Sequence, residues 1–243
     1  GSMQTRVTCV EKIGRRSADL TLVDFQGQVR GTERMVYKYP TPGAVVAFVA
    51  RAWPELVATL PPAARDRISG MGVAMPFQLW SWVQLIGAPQ SEMDAWRDRD
   101  IQAELAALTG MPVYVQNDAT SACGAELVFG TGEKPRDFLY FYFGYFIGGG
   151  LVLNGQVFLG RSGNAAGVGP LPVPGPDGRM RRLFASASMS KLAEAMEAAG
   201  ESSDHLWERP DHWTGSEGVL SAWMDSAAEG LAWAAFSAAA LIE

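Results

Sequence analysis

Cysteine and histidine are scarce in this chain, with two of each among 243 residues. Cys9 and Cys123 cannot build a disulfide framework, and their small number fits a reducing compartment, the cytoplasm. No uninterrupted run of about 18 apolar residues occurs, so no membrane span is expected. The start, Gly1-Ser2-Met3, lacks the charged-then-apolar order of an export signal and resembles a cloning scar followed by an initiator. Positive charge is also short: 20 Lys and Arg against 26 Asp and Glu give a net charge of −6. A broad nucleic-acid-binding face is normally basic, so direct DNA binding by this stretch is not expected. What the chain does have is apolar mass, 48% of its residues against 19% charged, enough for a sizeable core.

The order of elements points to an α/β protein. Three short strands over the first forty residues, separated by turns at Gly14-Arg15-Arg16-Ser17 and Gln26-Gly27-Gln28, predict an antiparallel meander with Leu20, Leu22 and Asp24 on one face. A helix with Val45, Phe48, Val49 and Trp53 follows, and Pro54 is expected to kink or end it. Ile68–Met75 and Met111–Val115 read as buried strands, the second leading through Asn117-Asp118 into a helix closed by Gly130. Further on, Phe138–Phe143 reads as a strand, with Gly148-Gly149-Gly150 breaking the run before Leu151–Leu153 resumes it. Asn154-Gly155 then predicts a two-residue hairpin turn with positive φ at both positions. Gly160–Pro176 reads as a loop, and 188–199 and 218–243 as helices. The last of these is expected to carry Leu220, Trp223, Met224, Ala227, Leu231, Ala234 and Ala238 on one stripe.

Several residues offer chemistry, each with a plainer alternative. Asp118, at the carboxyl end of a strand and the amino end of a helix, suits a base that accepts a proton from a substrate hydroxyl; equally it suits a helix cap. The glycines at 148–150 suit a phosphate cradle or a tight bend. Gly163 and Asn164 lie in the long loop, which serves either a ligand or simple connection. His205 and His212 stand among acidic residues, a metal site on one reading and an exposed loop on the other. Trp80, Trp82 and Trp96 could stack on a sugar ring or fill a core.

Taken together, Asn117-Asp118-Ala119, Ala125-Glu126, Ile147-Gly148-Gly149-Gly150-Leu151-Val152-Leu153-Asn154-Gly155, Gly160 and Gly163-Asn164-Ala165 resemble the ROK family of repressors, open reading frames and sugar kinases. The resemblance implies an actin/hexokinase-like (ribonuclease H-like) α/β fold of two lobes about a central cleft. The lobes are expected at 5–116 and 117–243, the second incomplete at its carboxyl end. It also implies sugar contacts from Asn117, Asp118, Gly163 and Asn164, joined by Trp80 as a stacking surface.

The departures from the family pattern shape the functional expectation. Where kinases of the family carry Asp-x-Gly-Gly-Thr, this chain reads Lys12-Ile13-Gly14-Arg15-Arg16. Where they carry Gly-Thr-Gly-Ile-Gly-Gly-Gly, it reads Gly144-Tyr145-Phe146-Ile147-Gly148-Gly149-Gly150, with bulk in place of a hydroxyl and a glycine. Both phosphate loops are therefore expected to be degenerate and Asp118 a vestigial general base. Gly167 replaces a sugar-binding glutamate and Pro170 a zinc-ligand histidine, so neither zinc nor Mg·ATP is expected as a cofactor. Gln78-Leu79-Trp80-Ser81-Trp82 looks most like the regulator branch. The expected function is the effector-sensing region of a transcriptional regulator that answers to a sugar or sugar derivative. On this reading it assembles as a dimer or tetramer and touches DNA only through a helix-turn-helix absent from this chain. An ATP-dependent sugar kinase is the alternative.

Overall fold

The computed structural model describes residues 7–81, 83–130, 132–133, 135–208 and 217–242. The chain divides into two compact units, 1–121 and 122–243, so the division falls after Ser121 rather than before Asn117.

The first unit is built on a five-stranded sheet in the order β3-β2-β1-β4-β5. Strands β1 (Val7–Ile13), β2 (Ser17–Asp24) and β3 (Val29–Val36) form the antiparallel meander. Helices α1 (Pro42–Ala58) and α2 (Pro62–Arg65) then carry the chain across to β4 (Ile68–Met75), which pairs parallel to β1. A 3-10 turn (Leu79–Ser81) and helices α3 (Val83–Ile86), α4 (Gln90–Asp98) and α5 (Ile101–Thr109) lead to β5 (Val113–Asn117), parallel to β4. A parallel pair needs a crossover of this length, which is why the helices fall here and not within the meander. Alternation sets the faces: Ala18, Leu20, Leu22 and Asp24 of β2 are buried, as are Cys9, Glu11 and Ile13 of β1.

Helix α1 does not end at Pro54. Its N-terminus is capped by Thr41, whose side chain accepts from the Ala44 N–H, and Pro54 sits inside the helix. Buried residues Val45, Phe48, Val49, Ala52 and Leu56 recur at helical spacing on both sides of the proline. That burial outweighs the one backbone hydrogen bond a proline forfeits. At the other end of the unit, α5 is capped by Asp100 and closes on Gly110 at φ 70°, the left-handed conformation glycine adopts without cost.

The second unit begins within α6 (Asp118–Phe129) and contains a three-stranded antiparallel sheet, β6 (Phe138–Phe143), β7 (Ile147–Leu153) and β8 (Gln156–Val157). Asn154 at φ 54° and Gly155 at φ 73° make the expected hairpin turn. The segment expected to be loop contains the short strand β9 (Pro172–Pro174), which pairs with β10 (Met180–Arg182). Helices α7 (Phe184–Ala187), α8 (Met189–Ala198), α9 (His205–Glu208) and α10 (Glu217–Ile242) follow. Trp223, Ala227 and Ala234 of α10 enter a core with Ile147, Val173, Leu183, Leu192 and Met196. Met224, expected on the same stripe, is half exposed at 52% instead, because it lies one step round the helix from Trp223.

Candidate functional site

The carboxyl ends of β1, β4 and β5 bring three chemistry-bearing segments to one edge of the first sheet. Strand register lines up Arg34, Asp19, Lys12, Ala74 and Gln116 as one row across all five strands. Asp118 follows two residues beyond Gln116, at the junction of β5 and α6. This edge is where ligands of open α/β sheets bind.

Asn117, not Asp118, is the principal helix cap. Its Oδ1 accepts from the N–H groups of Ala119 (3.0 Å) and Thr120 (3.1 Å). Asp118 accepts from the Ala119 N–H through Oδ1 at 2.9 Å, and among the described residues its Oδ2 makes no hydrogen bond. Burial pushes the Asp118 carboxyl above its ordinary range, while the Ala119 N–H and the nearby Lys12 ammonium pull it down. The result is a half-buried carboxylate more basic than an exposed one.

The turn that follows β1 is shut. Gly14 donates its N–H to the Ser17 carbonyl at 2.8 Å, leaving Arg15 and Arg16 as a two-residue connection. Neither arginine has a positive φ. Two-residue hairpins of that kind fit strand twist poorly, and Tyr37 supplies the brace. Its phenol lies 2.6 Å from the Gly14 carbonyl and 2.8 Å from that of Ser17, sharing one proton between them, and its N–H donates to the Arg16 carbonyl at 2.9 Å. Burial, then the charges of Glu11 and Asp19, push the Tyr37 phenol up.

Sequence reasoning passed over Glu11. It is fully buried between Cys9 and Ile13, and neither carboxylate oxygen has a hydrogen-bond partner among the described residues. Burial first, and the Asp19 charge second, push its carboxyl up to about 8, so it is largely neutral at pH 7. The signal was available, because Glu11 shares the parity of Cys9 and Ile13 in an alternating strand.

In the second unit the glycines at 148–150 are not a break, as the sequence suggested, but the middle of β7. They pair with Tyr142, Phe141 and Tyr140. A Cβ on Gly149 would lie 2.7 Å from the Ala166 carbonyl oxygen and 2.9 Å from that of Tyr140, so close backbone approach demands glycine there. Ahead of β7, the Gly144 and Tyr145 carbonyls accept from the Met189 and Ser190 N–H groups at 3.3 and 3.1 Å, occupying the start of α8. Ser188 Oγ accepts from the Ile147 N–H at 3.0 Å. Tyr145 and Phe146 pack edge-to-face at 4.8 Å, extending to Trp207 and Phe184. Bulk thus stands where the family pattern has a hydroxyl and a glycine.

Gly163 (φ 76°) and the exposed Asn164 belong to this second unit, whereas Asn117 and Asp118 belong to the first. Trp80 has the Arg97 guanidinium 5.8 Å from its ring centre. Trp96 is core, with its indole N–H donating to the Pro40 carbonyl at 3.1 Å. Trp82, Asp211 and His212 lie outside the described residues, and His205 stands half-buried on α9. Among the described residues no group of three or more His, Cys, Asp or Glu side chains is placed to hold a metal. No helix among them is long and apolar enough to cross a membrane.

The model of the ROK family matches residues 7–183. The chain belongs to the ROK family. Its ROK relatives include a glucokinase of Streptomyces coelicolor, 28% identical over 169 residues, covering 68% of this chain and 49% of that protein. They also include the xylose repressor of Bacillus subtilis, 25% identical over 104 residues, covering 43% and 26%. Among solved structures, a ROK glucokinase from Streptomyces griseus bound to glucose and AMPPNP superposes with a TM-score of 0.67 at 20% identity, over 97% of this chain and 80% of that one. That likeness gives the ROK chain an actin/hexokinase-like fold. The chain spans about half or less of the length of the curated relatives it matches.

Proposed function

We propose that this ROK chain is the sugar-sensing region of a transcriptional regulator and has lost phosphoryl transfer. The observation that carries the reading is the turn after β1. Phosphoryl transfer depends on positioning phosphates and a metal ion, and little else. Here a lysine ammonium occupies the place of the family's aspartate. The backbone that would curl around phosphates is an arginine pair braced by Tyr37. The occupied start of α8 weakens the second phosphate loop in the same way. Neither zinc nor Mg·ATP takes part in this reading, and the protein works as a homo-oligomer in the cytoplasm.

What remains suits hydroxyl recognition. Asn117 keeps its amide Nδ2 and Asp118 its Oδ2 for a polyol, one a donor and the other an acceptor. A sugar would regulate by binding one conformation better than another, and only to the extent of that difference. DNA contact belongs to a helix-turn-helix encoded upstream of Gln4, which reading the gene's frame checks directly.

The sugar kinase reading has its own support in Asp118, a carboxylate of raised basicity at a strand–helix junction. Thermal-shift screening of a sugar library, repeated with Mg·ATP, separates the two. A sensor gains melting temperature with at least one sugar and leaves that sugar unphosphorylated. No shift with any sugar overturns the sensing reading, and conversion to a sugar phosphate favours the kinase.

A further inference from the structure

Helix α10 carries three acids, Glu217, Asp225 and Glu229, no Lys or Arg, and no charge at all from Gly230 to Ile242. One side of it is engaged. Trp223, Ala227 and Ala234 enter the core of the second unit, and a Cβ on Gly230 would lie 3.0 Å from Leu183 and 3.1 Å from Ser186. The opposite side is equally apolar and faces solvent. Phe236 is 74% exposed and Trp233 49%, with Ala228, Ala232, Ala235 and Ala239 exposed beside them. From Ala235 to Leu241 every residue except Ala238 is exposed, so the last two turns stand clear of the core. Ser237, the sole hydroxyl between Gly230 and Ile242, donates to the Trp233 carbonyl at 2.8 Å and needs no water. A helix that is apolar on all sides is ordinarily a buried one.

We propose that this face is the interface between two copies of the chain, their α10 helices packed antiparallel about Ala235 and Phe236. The proposal rests on the homo-oligomer reading and gives it a surface. Charge selects the geometry. Parallel helices would set Asp225 and Glu229 against their own copies, whereas antiparallel ones leave these acids at a solvated rim and oppose only uncharged turns. Spacing suits it as well. Ala228, Ala232, Ala235 and Ala239 follow the alternating four-and-three order of a helix–helix seam, and side chains this small let two axes approach to about 8 Å. Phe236 and Trp233 then flank the seam and cover the alanines of the other copy. Area sets the strength. These six side chains expose roughly 500 Å² on each copy, about 1,000 Å² in all, the lower limit of a specific interface. Association is therefore weak, in the micromolar range. A lipid surface fits less well: no described helix is long and apolar enough to cross a membrane, and anionic headgroups repel a helix of acids without cations.

Sedimentation equilibrium of the full chain, from about 1 to about 200 µM, tests this. The weight-average mass is expected to rise with concentration from the monomer's 26.1 kDa toward twice that value. The melting temperature is expected to rise with it. Phe236→Glu sets like charges together near the two-fold axis and is expected to weaken association about tenfold or more. Phe236 is exposed, so the melting temperature of the dilute variant stays near that of the wild type. Met180→Glu, at an exposed apolar position on β10, leaves association unchanged. Both native cysteines are buried, so an added one reports the geometry. Ala232→Cys mixed with Ala239→Cys is expected to crosslink on oxidation. Neither variant crosslinks alone, because each cysteine lies roughly 10 Å along the axis from its copy. Self-crosslinking of each variant means parallel helices and overturns the proposal. A dimer that survives Phe236→Glu also overturns it, while leaving the homo-oligomer reading intact. A monomer at every concentration overturns both, and its cosedimentation with phosphatidylcholine vesicles would make the face a lipid contact instead.

Discussion

Two glycine-bearing segments of this ROK chain, the turn after β1 and the middle of β7, have met opposite fates. The first, after β1, has exchanged family glycine and threonine for Arg15 and Arg16. The second keeps Gly148, Gly149 and Gly150 intact. Motif persistence alone would mark the second as the surviving phosphate cradle. The structure gives another reason for it: Gly149 has two carbonyl oxygens within 3 Å of where a Cβ would sit. At the first turn neither Arg15 nor Arg16 has a positive φ, so the backbone at those two positions does not demand glycine. Glycine persists where packing requires it, and its persistence is weak testimony to function.

The largest effect that separates the two segments is expected at Gly149. Gly149→Ala forces a methyl against fixed backbone and is expected to cost about 3–5 kcal/mol, read by denaturant unfolding. A loss within about 0.5 kcal/mol would mean that β7 has room and that the glycines persist for another reason.

Next comes Glu11, the acid that the strand of the altered turn buries. Its folded pKa, about 8, lies above the unfolded value of 4.5. Stability is then fully present below about pH 4.5 and falls as pH rises toward 8, because the unfolded chain releases that proton more readily. Glu11→Leu removes this dependence and is expected to raise stability at pH 8 by about 2–4 kcal/mol. A variant that keeps the wild-type slope between these pH values would place the titration elsewhere.

Tyr37→Phe tests the brace. Losing the phenol strips a shared donor from the Gly14 and Ser17 carbonyls, at an expected cost of about 2 kcal/mol, measured by chemical denaturation of the same chain. An unchanged midpoint would show that the arginine turn holds itself. The smallest expected effect lies at the other hairpin turn: Asn154→Ala, at φ 54°, costs about 1 kcal/mol, read by the same denaturation.

Local signals carried most of the fold. The meander, the strands β4 and β5, and the Asn154-Gly155 hairpin were all legible, because each depends on near neighbours, but β5 lies at the sheet edge with Tyr114 exposed and is not the buried strand expected. Pro54 misled because the stripe that sustains α1 is set by what it packs against. The glycines of β7 misled because the carbonyl that crowds Gly149 belongs to Ala166, in a different segment. At the site, Asn117 and Asp118 stood out by their place between strand and helix. Tyr37 did not, since its role depends on bringing the end of β3 beside the β1–β2 turn, twenty or more residues away.

The central claim is that a ROK site with a lysine and an arginine pair in place of its first phosphate loop no longer transfers phosphate. Steady-state turnover of hexoses with Mg·ATP, read as sugar phosphate formed per chain, tests it most directly. The account predicts no turnover above the uncatalysed background. A rate of about 1–100 s⁻¹, ordinary for a kinase, would contradict it.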